Sequence, residues 1–388
     1  MTLTIIVWSF VAVTVVPFLW LTIEVIASLL PVRGMGQATD DRPRVAVLVP
    51  AMNEEGGIVA TLQQIRAHLR PNDRLLVVAD NCTDGTATVV REIGVEVVER
   101  NDPARRGKGF ALDCGLQRLK DDPPEVIVIV DADTDVKPWT VDALAASVAS
   151  TGRPVQGVNL LDSPPGAGPT ARISAFAFFF KNYVRPRGMD RLGLPCLLYG
   201  TGMAMPWTAI KQIELAHGDI TEDIRLGVEL AVHGVSPIFA PEAHVKGVFP
   251  VQASAATSQR RRWEHGHLST ICRYVPRLLG LGVIHMRIDL LALALHLGVP
   301  PLAFLFFAGA LGVIVLWLLG QVGASGILVG SMALAFSAIL ASWLRFGRDR
   351  LPARDILLFP LYMFKKIPLY LGFFFRPQRD WVRTDRKD

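Results

Sequence analysis

Four short runs rich in β-branched residues recur between Arg44 and Asp133: RVAVLVP, RLLVVAD, VEVVER and EVIVIVDAD. Each is nearly continuous in apolar residues, the pattern of a parallel strand buried on both faces. Between them, residues 57–69, 84–93 and 107–119 place apolar side chains at helical spacing. This alternation predicts a doubly wound α/β domain, in which ligands bind beyond the carboxyl ends of the strands. PAMNEE (Pro50 to Glu55), DNCTDG (Asp80 to Gly85) and DAD (Asp131 to Asp133) stand at three such ends. Neither GxGxxG nor a Walker A sequence is present, which argues against a dinucleotide enzyme or a P-loop ATPase.

The 51% hydrophobic content exceeds that of an ordinary soluble enzyme, and the excess lies at the two ends of the chain. Residues 3–30 are long enough to cross a hydrocarbon layer of about 30 Å. No Lys or Arg precedes them, and Arg33, Arg42 and Arg44 follow. That pattern favours a span over a signal peptide and sets the N-terminus outside. Glu24 is near enough to the inner end to be solvated. Residues 300–320 and 325–344 form an expected helical hairpin, with 290–299 either interfacial or part of a span kinked at Pro300 and Pro301.

The apolar segment 356–375 carries Lys365 and Lys366, each of which would cost about 2.5–3.5 kcal/mol at a bilayer centre. It therefore reads as interfacial or re-entrant, and the expected count is three spans with the C-terminus inside. The net charge of +5 fits Lys and Arg facing anionic lipid rather than nucleic acid. Four isolated cysteines suit a reducing compartment and read as buried thiols. The expected organisation is an N-terminal membrane helix at 1–32, a cytoplasmic domain at 40–285, and a C-terminal membrane hairpin, interfacial helix and basic tail at 286–388.

Five motifs carry the chemistry. In DAD, the spacing of two turns Asp131 and Asp133 to one side of the chain, and paired hard oxygens suit Mg²⁺ or Mn²⁺. Asp80 is placed to bond a base or ribose edge, or simply to serve a turn. In RRGKGFAL, Lys108 precedes a helix between two glycines, where an anion would meet backbone N–H groups and an ammonium. In TED, Thr221 reads as an N-cap with acids in the first turn, or Asp223 as a general base. In QRRRW, Gln259 and the arginines offer donors to a diphosphate, and Trp263 offers a flat face to a sugar ring. A basic membrane-surface helix is the bland alternative for this last motif.

Taken together, D, DxD, TED and QxxRW in this order resemble the family 2 glycosyltransferases. They are most similar to the membrane-integrated branch containing cellulose synthase, hyaluronan synthase and chitooligosaccharide synthase. The resemblance covers residues 44–267 well and implies a GT-A-type nucleotide-sugar-binding domain with a mixed sheet. It implies that Pro50, Asn53, Glu54 and Asp80 contact the nucleotide and that Lys108 contacts its diphosphate. Asp131 would serve ribose and metal, Asp133 the metal, and Asp223 would be the base. Gln259 and Arg262 would hold the diphosphate. Tyr199, Gly200 and Thr201 of LYGTG, with Glu222 and Trp263, would border the acceptor.

The implied reaction is an inverting, Mg²⁺- or Mn²⁺-dependent transfer from a UDP-sugar. The acceptor would be a saccharide or lipid-linked saccharide in envelope or exopolysaccharide synthesis at the inner membrane. Membrane lipids and export or polymerisation proteins are the further partners expected. The sequence departs from the branch in lacking the FxVTxK gating loop and an appended cyclic-dinucleotide-binding domain, and in having about three spans. Addition of one or a few sugars is therefore preferred to a processive synthase, and an inactive scaffold remains the non-enzymatic alternative.

Overall fold

The computed structural model describes residues 2–31, 42–249 and 252–375. They divide into two compact units. The first, residues 42–162, 195–249 and 252–256, is built on one eight-stranded mixed sheet. Its strands are β1 (Val45–Ala51), β2 (Arg74–Asp80), β3 (Glu96–Arg100), β4 (Val126–Ile129), β5 (Asp135–Val136), β6 (Val155–Asp162), β7 (Met203–Pro206) and β8 (Ile238–Val248). They lie in the order β3-β2-β1-β4-β7-β6-β8-β5. The four expected runs are β1 to β4, all parallel to their neighbours among themselves. Strand β7 enters antiparallel between β4 and β6.

The period of two sorts the sheet residues onto two cores. Val45, Val47, Val49, Val126 and Val128 face Ile58, Leu62 and Ile65 of helix Ile58–Arg66 and Leu144 of helix Thr140–Thr151. Ala46, Leu48, Leu76, Ile127 and Ile129 face Leu112 and Leu116 of helix Lys108–Leu119 and Leu226 and Leu230 of helix Glu222–Val232. Gly115 is glycine because a Cβ there would sit 2.4 Å from Leu48 Cδ1. Burial of a side chain such as Leu48 contributes roughly 1.5–3 kcal/mol.

Arg42, counted above among the charges following the first span, is buried in an ion pair. Its guanidinium meets Asp73, with Nη1 2.9 Å from Oδ1, and also Asp142. Asp73 further accepts the backbone N–H groups of Val45 (3.0 Å) and Arg70 (2.7 Å). Burial alone would raise the Asp73 carboxyl, but Arg42 and the two backbone donors hold it below its ordinary value. This residue thus anchors the start of β1.

The second unit, residues 2–31, 163–194 and 257–375, is helical. Helices Thr2–Ser28, Pro169–Phe179, Arg185–Leu192, Ala253–Ile284, Ile288–Gly298, Leu302–Leu318, Val322–Ser342 and Phe359–Phe375 make most of it. Helices at Thr4–Ser28 and Val322–Gly347 are long and apolar enough to cross a membrane. Among the described residues a third candidate arises only if Ile288–Gly298 and Leu302–Leu318, bent by 80° around Pro300 and Pro301, count as one span.

Small residues let these helices approach closely. Gly309 and Gly312 lie under Phe18 and Phe10, and a Cβ on Gly188 would fall 1.9 Å from the Glu24 carbonyl oxygen. Glu24 is not solvated: it is fully buried, accepting from Arg185 Nε at 2.6 Å and facing His296 Nδ1 at 2.6 Å. A carboxylate taken out of water needs such partners, which is why the solvated reading fails. Lys366 is likewise not bare; it pairs with Glu264 and lies 4.8 Å from the Tyr362 ring centre. Of the four cysteines only Cys196 is buried, while Cys82 and Cys114 are half-buried and Cys272 is exposed, so the expectation of buried thiols holds for one.

Candidate active site

Three features of the sheet unit converge at the carboxyl ends of β1, β2 and β4. Because β7 is antiparallel to β4, with Ile129 opposite Met203, the segment just before β7 arrives where DAD begins. That segment is LYGTG, and the Thr201 hydroxyl accepts the Asp131 N–H at 2.9 Å. Helices Lys108–Leu119 and Glu222–Val232 pack on the same sheet face, and their first turns meet at this edge.

Lys108 is the hub. Its ammonium contacts the Asp131 carboxylate and donates to the Gly200 carbonyl at 2.6 Å. Desolvation alone would lower its pKa, but the charges of Asp131, Glu222 and Asp223 outweigh that and raise it. Lysine is flanked by glycines for a steric reason. A Cβ on Gly109 would lie 2.5 Å from the Leu215 carbonyl oxygen and 2.6 Å from that of His217, and Gly107 holds φ +131°. Gly200, at φ +86°, leaves room beside both charges: a Cβ there would stand 3.4 Å from Asp223 Oδ2 and 3.7 Å from Lys108 Nζ.

The two acids of TED are distinct. Desolvation, and then the charge of Asp223, push the Glu222 carboxyl up to about 8. At that value Glu222 keeps its proton at neutral pH. Asp223 Oδ1 accepts the Ile224 N–H at 2.8 Å. Thr221 occupies the N-cap position but makes no side-chain capping bond.

The residues expected to contact a nucleotide form a second group at the same edge. Pro50 lies in β1, and Asn53 follows it at φ +57°. The Asn53 side chain accepts the Thr83 N–H at 2.7 Å and donates to the Thr83 hydroxyl at 3.0 Å. Glu54 N–H bonds the Thr86 hydroxyl at 2.8 Å. Asp80 is buried, with Arg100 Nη1 at 2.6 Å and Asn81 Nδ2 at 2.9 Å. Burial dominates there and raises its carboxyl despite the arginine.

Asp133 is exposed and Asp131 half-buried. Among the described residues no group of three His, Cys, Asp or Glu is placed to hold a metal ion. Two carboxylates at a strand end nonetheless fit Mg²⁺ or Mn²⁺, which take hard oxygens and complete their shell with water and substrate phosphates.

Two residues that the sequence did not single out hold the LYGTG segment. Gln156 is fully buried; its Nε2 donates to the Thr201 carbonyl at 3.0 Å and its Oε1 accepts the Tyr199 N–H at 2.7 Å. Asn159 Nδ2 donates to the Tyr199 carbonyl at 3.0 Å. The only sequence signal was two amides within an apolar run, VQGVNLL.

Gln259, Arg262 and Trp263 belong to the helical unit, on helix Ala253–Ile284. Gln259 is buried, and its Oε1 has no hydrogen-bond partner among the described residues. Arg262 is half-buried, and the Trp263 ring lies 5.5 Å from that of Phe178.

A family model described as "Glycosyltransferase like family 2" matches residues 43–266. The beta-monoglucosyldiacylglycerol synthase of Synechocystis is 26% identical over 58% of this chain and 48% of that protein. The low-salt glycan biosynthesis hexosyltransferase Agl6 of Haloferax volcanii is 34% identical over 24% of this chain and 22% of its own length. These matches span less than half of either relative. In fold, the chain is similar to the mannosyltransferase PcManGT of Pyrobaculum calidifontis, solved with GDP-Man and Mn²⁺. The TM-score is 0.58 at 19% identity, over 96% of this chain and 99% of that one.

Proposed function

We propose, from the premise that this chain belongs to the glycosyltransferase like family 2 and is a glycosyltransferase, that it moves a sugar from a UDP-sugar to a lipid-linked or growing saccharide acceptor with inversion. The observation that carries this reading is the meeting of Lys108, Asp131, Gly200, Glu222 and Asp223 at one sheet edge. A metal ion held by Asp133 and Asp131 would supply charge neutralisation on the departing diphosphate. Lys108 adds a fixed positive charge beside that position.

Asp223 is assigned as the base. The acceptor oxygen forms its bond to the anomeric carbon while the bond from that carbon to the diphosphate oxygen breaks. The acceptor proton passes to Asp223, and the electron pair leaves with the nucleotide. Protonated Glu222 is assigned to donate a hydrogen bond to an acceptor oxygen, and Tyr199, Gly200 and Thr201 are assigned to border the acceptor sugar. Pro50, Asn53, Glu54 and Asp80 are assigned to the nucleotide.

A membrane-borne acceptor is supported by the two apolar helices of spanning length and by the named product of the Synechocystis relative, a β-glucosylated diacylglycerol. Two or three spans favour addition of one or few sugars over a secreting synthase. The proposed placement is the inner membrane, with the N-terminus outside and the sheet unit in the cytoplasm. The test is nucleotide release by detergent-purified protein across UDP- and GDP-sugars, with Mn²⁺ or Mg²⁺ and an EDTA control. Metal-dependent release from one UDP-sugar supports the proposal. Release only from a GDP-sugar overturns the donor, and silence with every donor in added lipid extract favours a scaffold.

A further inference from the structure

Outside the transfer site, arginines and rings collect at one end of the candidate spans. Arg187, buried, donates from Nε to the Ser28 carbonyl at 2.8 Å and from Nη2 to that of Leu30 at 3.1 Å, which places it at the end of helix Thr2–Ser28. Its guanidinium carbon lies 5.4 Å from the Phe346 ring centre, and that of Arg345 lies 5.4 Å from the same ring. Phe346 belongs to the π-turn Trp343–Gly347, which closes the candidate span Val322–Gly347. The two spans therefore end at the same level.

A second π-turn, Phe180–Val184, meets the first, with the Tyr183 ring 5.8 Å from Phe346. Tyr183 stacks on Phe179 at 5.2 Å, and Arg350 lies 4.7 Å over Phe179. Wide turns of this kind are rare and frequently mark functional sites. One turn beyond Arg187, on the same helix face, Arg191 is 7% exposed, and its Nε and Nη1 have no hydrogen-bond partner among the described residues. Its Nη2 is 3.5 Å from Asp190, and Asp349 stands exposed between Arg348 and Arg350. Arginine exceeds carboxylate throughout the patch.

We propose that Arg345 and Arg350 form a binding site for the phosphate of an anionic lipid headgroup at the membrane surface, on a base fixed by the buried Arg187. A guanidinium stacked on a ring keeps its N–H edges pointing outward in its own plane, where a phosphate takes two parallel bonds. The common end of two apolar helices sets the site at headgroup depth. The ligand is either a bilayer phospholipid or an isoprenoid phosphate, which share this chemistry. The inference rests on reading those helices as membrane spans, and does not depend on the transfer site.

The test uses the full chain in detergent, titrated with phosphatidylglycerol, a polyprenyl monophosphate and phosphatidylcholine, with retained lipid counted by native mass spectrometry. Wild type should prefer one or both anionic lipids over zwitterionic phosphatidylcholine, whose phosphate charge is offset by its choline cation, by roughly tenfold, the worth of one charge-assisted pair. Stronger retention of polyprenyl phosphate identifies a carrier; stronger retention of phosphatidylglycerol identifies a bilayer lipid. Arg345→Gln and Arg350→Gln should each abolish the preference. Arg345→Lys, which keeps the charge and folds without a polarity change, should also weaken it, while Arg348→Gln should leave it within about twofold. Equal retention of all three lipids, or equal effects of Arg345→Lys and Arg348→Gln, overturns the site. Failure to float with phosphatidylcholine vesicles overturns the membrane reading and the inference with it.

Discussion

Replacing Glu222 by glutamine should stabilise the protein at neutral and alkaline pH while leaving much of the chemistry in place. The Glu222 carboxyl moves from 4.5 to about 8 on folding, pushed by desolvation and by the charge of Asp223. The folded state then holds a proton that the unfolded chain releases above about 4.5, so stability falls as pH rises from there through 8. At about 1.4 kcal/mol per pH unit the full shift amounts to at most about 5 kcal/mol. Glu222 keeps part of its surface in water and shares its proton equilibrium with Asp223, which brings the expectation to about 2 kcal/mol.

Glutamine keeps the donor and removes the titration. Thermal unfolding of wild type and Glu222→Gln, followed by tryptophan fluorescence from pH 5 to 9 without nucleotide or metal, reads the difference. The two midpoints should converge near pH 5 and separate by roughly 4–8 °C at pH 8 and above, with the variant higher. Parallel profiles, or a variant less stable at pH 8, would refute the placement of a protonated acid there.

Asp73→Asn leaves the buried Arg42 guanidinium paired with Asp142 but not with residue 73, and should cost about 1.5–3 kcal/mol in chemical denaturation at pH 7. Because the Asp73 carboxyl is depressed, that gap should persist above pH 4 and shrink as pH falls below it. Gln156→Leu leaves the Tyr199 N–H and the Thr201 carbonyl unpaired; we expect a loss of about 2–4 kcal/mol in stability and a raised acceptor KM, with donor KM little changed. Gly188→Ala drives a methyl into the Glu24 carbonyl and should cost more than the roughly 1–3 kcal/mol of stability usual for overpacking, read as a lower melting temperature in detergent.

The parallel half of the sheet was legible because β1, β2 and β4 are buried on both faces and announce themselves as continuous apolar runs, while β3, at the sheet edge, is half-exposed and showed only its β-branched residues. Strand β8, IFAPEAHVKGV, holds a proline and half-exposed positions, so no such run marks it, and β7 has only four residues. The acidic and basic motifs were visible as residue types. Their meeting was not, because it depends on β7 running antiparallel and carrying Gly200 back to β4. Gln156 and Asn159 were missed for the same reason: their partners are backbone groups some 40 residues away. Glu24 was misjudged because its partners, Arg185 and His296, lie on helices distant in sequence.

The most direct measurement compares wild type with Asp223→Asn, recording donor binding by calorimetry and nucleotide release under saturating donor and acceptor. A base at Asp223 predicts donor affinity within about twofold and a rate reduced by roughly 10²–10⁴. Full rate in the variant would contradict the assignment, and loss of donor binding would move Asp223 from the acceptor's proton to the nucleotide.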